Sequence, residues 1–223
     1  MKRMLFLLAF IAPALVNAEP SSQIAWTPDI LNLVKSGNLS KGKELAESCK
    51  SCHGDKGQGT KEETRDGEAL PAIPALAGQI ATYTYKQLRD YANSSRYNVQ
   101  MTGIAKALSE QDAADLAVWF SSLPAQENKS GSQNPARAEK MVEEGDGKRI
   151  LPPCFVCHGS TGQGEKQDIP ALAGQHADYF ARTLLEYKNG QRHNDVYSRM
   201  RLIAQQLSEA EIKELAQYYQ QVK

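Results

Sequence analysis

Two short stretches hold the residues whose types and spacing could do chemistry: "CKSCHG" at residues 49–54 and "CFVCHG" at residues 154–159. A pair of thiols two residues apart, followed directly by an imidazole, admits three chemistries. It could be a redox dithiol, half of a zinc site, or the anchor of a covalently bound haem. Residues three and four apart share one face of a helix, so Cys49, Cys52 and His53 address one flat object, and Cys154, Cys157 and His158 address another. Haem suits that arrangement, because the thiols add across its vinyl groups and the imidazole reaches the iron from one side. A thioredoxin-like dithiol wants a βαβ context, which the pattern lacks. A zinc ribbon brings its two cysteine pairs close in sequence, and a Cys-Cys-His set has no fourth ligand nearby. Two covalently attached c-type haems are therefore expected.

A sixth iron ligand should repeat with the haem motif. Met101 and Met200 do so, each preceding its Leu-Ser-Glu segment (Leu108, Leu207) by the same interval. Methionine is usually core filler, yet one recurring in register after a haem motif is expected on the iron, opposite His53 or His158. Met141 has no counterpart. His176 and His193 have none either, and read as surface residues and not as ligands. Arg199 and Arg201 flank Met200, with Arg192 nearby, whereas Gln100 and Thr102 flank Met101. Positive charge disfavours ferric iron, so the second haem is expected at the higher potential. Iron saturated by His and Met has no open position, which points to outer-sphere electron transfer by a protein that is not an enzyme. A haem peroxidase, which needs open iron, fits less well.

These residues must be positioned by elements that occur twice. "CKSCHGDKGQG" matches "CFVCHGSTGQG", "IPALAGQ" occurs at residues 73–79 and again at 169–175, and "ALSEQDAADLAVWF" is echoed by "QLSEAEIKELAQYY". Duplication is the simplest account. Ser109 and Ser208 are N-caps, the latter forming a capping box with Glu211. Leu116, Trp119, Phe120 and Leu123 then recur at helical spacing, as do Ile212, Leu215, Ala216 and Tyr219. A further helix should follow each "AGQ" segment, carrying Tyr83, Leu88 and Tyr91, or Tyr179, Leu184 and Tyr187. Strand signals are nearly absent. The expected class is all-α, a tandem duplication in which each domain wraps around one covalently bound haem that fills a core too small to stand alone.

Across the 223 residues, 41% hydrophobic and 23% charged content is that of globular material and not of a disordered chain. Residues 1–18, with Lys2 and Arg3 before an apolar run that ends in small residues, read as a cleaved secretory signal peptide. Without it the charge is nearly balanced, with no basic excess to suggest nucleic-acid binding. Residues 19–39 form an N-terminal extension in which Thr27 and Pro28 resemble a helix start, and Ile30, Leu31 and Val34 could pack on the haem-bearing core. The first domain is expected at 40–123, a polar linker at 124–134 and the second domain at 135–223. Residues 60–70, polar and charged, read as a solvated insertion.

Taken in order, "SCHGDKGQG", "PALAGQ", Met101, "ALSEQDAADLAVWF", "GDGKRILPPCFVCHG", the second "PALAGQ", "NGQRHND", Met200 and "LSEAEIKELAQYY" resemble the dihaem cytochrome c4 family over nearly all the chain from Ser40 onward. The resemblance implies two class I cytochrome c domains related by a pseudo-twofold axis. It makes His53 and Met101, and His158 and Met200, the axial pairs. It also implies that the carbonyls of Pro74 and Pro170 accept a hydrogen bond from the other nitrogen of each histidine. Such proteins carry electrons in the bacterial periplasm toward respiratory oxidases, so redox proteins are the implied partners, with no nucleic acid and no small-molecule substrate. Those partners would be a membrane oxidase, a quinol-oxidising complex or a soluble dehydrogenase, and docking at the membrane surface is compatible with the first two. The alternative function is that of an electron-accepting haem partner of a dehydrogenase oxidising thiosulfate or sulfide.

Overall fold

The computed structural model describes residues 22–126, 135–165 and 167–222. The expected signal peptide, and all of the expected linker but residues 124–126, lie outside the described residues. In the first half the helices are α1 (Pro28–Lys35), α2 (Leu39–Leu45), α3 (Lys50–His53), α4 (Ala81–Ala92), α5 (Val99–Lys106) and α6 (Glu110–Ser122). In the second half they are α7 (Ala136–Glu143), α8 (Phe155–His158), α9 (Ala177–Lys188), α10 (Arg199–Gln206) and α11 (Glu209–Gln221). The two halves repeat one plan. In each, a long C-terminal helix carries the core: α6 packs on α2 and α4, and α11 on α7 and α9.

Local chemistry explains where the long helices begin and what they bury. Ser109 and Ser208 both form capping boxes, with Asp112 and Glu211, which satisfy backbone donors at the starts of α6 and α11. Leu116 and Phe120 are buried with Ala46 in the first half. Ile212, Leu215, Ala216 and Tyr219 are buried in the second, where Phe180 stacks on Tyr219 at 5.5 Å between ring centroids. The backbones of α2 and α6 approach so closely that only glycine fits between them. A Cβ on Gly42 would lie 2.1 Å from the carbonyl oxygen of Asp115.

Two expectations need revision. The insertion at residues 60–70 is exposed, as expected, but it is an ordered hairpin of β1 (Glu63–Arg65) and β2 (Glu68–Leu70). Asp66 and Gly67 turn it with φ values of 53° and 82°, the left-handed pair of a type I′ turn. The charged strands show no apolar alternation, so only the Asp-Gly turn betrays the hairpin. The N-terminal extension is capped by Thr27 with Pro28 in the first turn, as its sequence indicates. Its apolar side is Ile30, Leu33 and buried Val34, with Leu33 in place of the expected Leu31, and packs with Tyr85, Ala113, Ala114 and Ala117 of α4 and α6. It thereby extends the first domain's core on the side of those helices.

Candidate haem sites and the interface between them

The Cys-x-x-Cys-His units form one-turn helices, α3 and α8, that end on glycines in the left-handed region, Gly54 and Gly159. The histidine at each helix end is buried. Nδ1 of His53 lies 3.0 Å from the carbonyl oxygen of Pro74, and Nδ1 of His158 lies 3.0 Å from that of Pro170. A carbonyl can only accept, so Nδ1 carries the proton and donates it, leaving the Nε2 lone pair for a metal. Burial pushes both imidazolium groups below the ordinary histidine range, and at His158 the positive charge of Arg199 adds to it. Both rings are thus neutral at neutral pH.

The loop after each histidine fixes its carbonyl partner. In the first half Thr60 and Ile73 exchange backbone hydrogen bonds, and Gly57 O accepts from Leu76 N and Ala77 N. In the second half Glu165 N donates to Ile169 O, and Gly162 O accepts from Leu172 N and Ala173 N. The glycine ending each "GQG" must lie flat against this segment. A Cβ on Gly59 would sit 2.3 Å from Ile73 O, and one on Gly164 2.5 Å from Ala171 N. The recurrent "CHG…GQG…IPALAG" pattern is therefore the scaffold for two His–carbonyl bonds.

All ten residues singled out from sequence, Cys49, Cys52, His53, Pro74, Met101, Cys154, Cys157, His158, Pro170 and Met200, line one continuous cleft of about 1780 Å³. That is well beyond the ~300–1,000 Å³ of an ordinary ligand pocket. Residues 22–38 do not contribute to it. Met141 is buried in the second core, where it acts as filler. The first thiol of each pair does not suit a redox dithiol, because burial raises Cys49 and pushes Cys154 up to about 11, keeping those two thiolates scarce. Among the described residues no group of three or more His, Cys, Asp or Glu converges as a metal cage. Two thiols and a neutral imidazole beside a large cleft instead fit a covalently held haem.

The cleft also runs along the interface between the halves, and there the structure shows functional candidates that the sequence reading missed. Arg96 donates to the hydroxyl of Tyr179 at 3.0 Å, and its counterpart Arg192 donates to that of Tyr83 at 3.1 Å. Each guanidinium also lies over a tyrosine of its own half, Tyr91 at 4.8 Å and Tyr187 at 4.5 Å. Reciprocal contacts of this kind mark an isologous, twofold arrangement. Lys86 Nζ pairs with Asp90 at 2.6 Å and reaches Asn194 O at 2.6 Å. Both arginines are buried, and among the described residues neither meets a carboxylate. Buried guanidinium groups without counter-charge are costly, and the two carboxylate arms of a haem have the chemistry to balance them. Burial raises the Tyr179 phenol, but Arg96 and Arg192 more than offset this and bring it to about 8.

Two readings of lone residues change. His176 is buried, not a surface residue, and its Nε2 hydrogen-bonds the carbonyl of Gln58 in the other half at 2.8 Å. Arg199 and Arg201 are each ion-paired, to Asp168 at 3.1 Å and to Asp195 at 2.8 Å. These pairs offset part of the charge beside Met200, which weakens the ground for expecting the second haem at higher potential.

The cytochrome c family signature matches residues 39–124 and 145–223, once for each half. Cytochrome c4 of Pseudomonas aeruginosa is 33% identical over 187 residues, which cover 82% of this chain and 88% of the relative. The chain belongs to the cytochrome c4 family. The crystal structure of reduced recombinant cytochrome c4 from Pseudomonas stutzeri superposes with a TM-score of 0.75 at 32% identity, covering 84% of this chain and all of that one. A protein named thiosulfate dehydrogenase electron acceptor, from Stutzerimonas stutzeri, is 32% identical over 79% of this chain and 80% of its own length. As a cytochrome c4 relative the protein is a dihaem electron-transfer cytochrome with two covalently attached haems, and Cys49/Cys52 and Cys154/Cys157 fit the attachment motif.

Proposed function

We propose that the protein is an exported electron carrier of the bacterial periplasm that passes single electrons from a redox donor to a respiratory acceptor such as a terminal oxidase, without catalysing bond chemistry itself. The observation that carries this reading is the pair of neutral, carbonyl-anchored histidines, each sharing its cleft with a methionine in equivalent register. His53 with Met101, and His158 with Met200, are the axial pairs. Bound haem supplies a one-electron couple. The chain's own part would be to hold the imidazoles in one orientation through Pro74 and Pro170 and to offer the methionine sulfurs of Met101 and Met200 from the same cleft. Thioether ligation favours the reduced state and places the couples at high potential. The docked halves make one body, so an electron received at one can leave from the other.

A second reading is favoured by the likeness to a thiosulfate dehydrogenase electron acceptor. Here the chain would take electrons from a periplasmic dehydrogenase that oxidises thiosulfate or sulfide. Rapid mixing separates the two. Reduced holoprotein should be reoxidised by oxidase-containing membranes at turnover rates, and oxidised holoprotein should be reduced by a thiosulfate dehydrogenase only if the second reading holds. Failure of both reactions would sink the carrier proposal.

A further inference from the structure

The final residue of each "PALAGQ" segment reaches across to the other half. Gln175 accepts from Ala75 N at 3.0 Å and donates to Ala75 O at 3.1 Å. Gln79 accepts from Ala171 N at 2.8 Å and donates to Ala171 O at 3.0 Å. Each Oε1 also accepts the backbone N–H of the next residue, His176 or Ile80. Two N–H donors converging on one atom fix it as oxygen, so the amide orientation is determined by its partners. Both glutamines are buried.

What matters is which peptide they hold. The unit joining Pro74 to Ala75 presents its carbonyl to His53 Nδ1 and its N–H to Gln175 Oε1. The unit joining Pro170 to Ala171 presents its carbonyl to His158 and its N–H to Gln79. Each is an unbroken chain, from glutamine oxygen through one peptide to imidazole, and each crosses the interface. Hydrogen bonds in series polarise one another. An N–H engaged by glutamine makes the carbonyl on the same peptide a better acceptor, which draws the imidazole proton toward oxygen and makes Nε2 a stronger donor to iron.

We infer that Gln79 and Gln175 are crossed positioning residues: each sets the basicity of the axial histidine in the opposite domain, so the potential of each haem is tuned by the half that does not bind it. This rests on His53 and His158 being the axial ligands. Removing the glutamine acceptor should weaken the His–carbonyl bond, lessen donation to iron, and raise the potential of the haem across the interface.

The test uses the dihaem holoprotein with Gln175→Leu and Gln79→Leu. Haem-resolved potentials come from the hyperfine-shifted methyl resonances followed through a redox titration, and the His Nδ1–H proton shifts are read in the diamagnetic ferrous state. Gln175→Leu should raise the first haem's potential more than the second's and move the His53 Nδ1–H signal upfield, and Gln79→Leu should do the same to the second haem and His158. Equal shifts of both haems, a larger shift of the haem in the mutated half, or unmoved Nδ1–H signals would overturn the inference. If leucine unseats the interface, Gln175→Glu keeps an acceptor facing Ala75 N–H; it should leave the His53 Nδ1–H signal in place or move it downfield, and an upfield shift would refute the chain. Absence of any histidine Nδ1–H signal from a haem ligand in the wild type would instead refute the axial assignment, so the two failures are distinguishable.

Discussion

At the scale of single residues the assignment turns on sulfur and on two carbonyls. Met101 starts its helix under the cap of Asn98, which accepts from Met101 N at 3.0 Å, and Met200 occupies the first turn of α10. Met101→Leu or Met200→Leu should abolish the methionine–iron charge-transfer absorption of one haem only and lower its potential on the order of 0.1 V, a fraction of the ~0.8 V that axial ligands span. A titration by absorbance reads both. The haem-attachment cysteines were legible in the sequence because covalent attachment demands a fixed spacing and duplication prints it twice. Gln79 and Gln175 were equally repeated, yet their partners are backbone atoms nearly a hundred positions away, and no spacing rule announces such a contact. His176 was misread for a related reason: a polar residue at a helix start carries no periodic cue to say that the opposite half covers it.

At the scale of elements, stability rests on close helix contacts and on charged caps. Gly42→Ala should push α2 off α6, because the new methyl carbon would meet the Asp115 carbonyl. The expected loss is about 1–3 kcal/mol, typical of overpacking, measured by chemical unfolding of the holoprotein. Glu211 caps α11 through Ser208 and accepts two hydrogen bonds from Arg149 at 3.0 Å each. The Arg149 guanidinium holds the Glu211 carboxyl at about 2, against an ordinary value near 4.5. A depressed carboxylate stabilises the fold fully above its unfolded value and loses that contribution as pH falls through the folded value. Stability should therefore decline between about pH 5 and pH 2. Glu211→Gln should cost about 1–2 kcal/mol at neutral pH and flatten that slope in unfolding curves taken across the range. Capping boxes and apolar stripes made these helices readable from sequence. The hairpin of β1 and β2 was not, since its strands are charged on both faces and only the turn residues distinguish it from a loop.

At the scale of the whole molecule, duplication yields a reciprocal interface, but not a symmetric one. Lys86 is buried with Asp90, and this pair is joined by Asn194 from the other half and by Ser22, whose hydroxyl donates to Asp90 at 2.6 Å. The N-terminal segment thus reaches the domain junction as well as the outer face of α4 and α6. Lys86→Met would leave the buried Asp90 carboxylate without its cation, which should cost about 3–5 kcal/mol and split the thermal unfolding into separate transitions for the two halves, where a single transition is expected of the unsubstituted protein, as calorimetry would read. None of this could be read from the chain, because Lys86 and Asp90 look like an ordinary solvated pair one helical turn apart until the other half is placed over them.

The central claim, that the cleft holds two low-spin haems saturated by histidine and methionine, is tested most directly by a spectroelectrochemical titration of the holoprotein that follows the ferric methionine–iron band together with the reduced haem bands. The account predicts two one-electron couples at positive potential, each losing its methionine band on reduction. A high-spin haem, or one lacking that band, would contradict it and would mean that Met101 or Met200 is not on the iron.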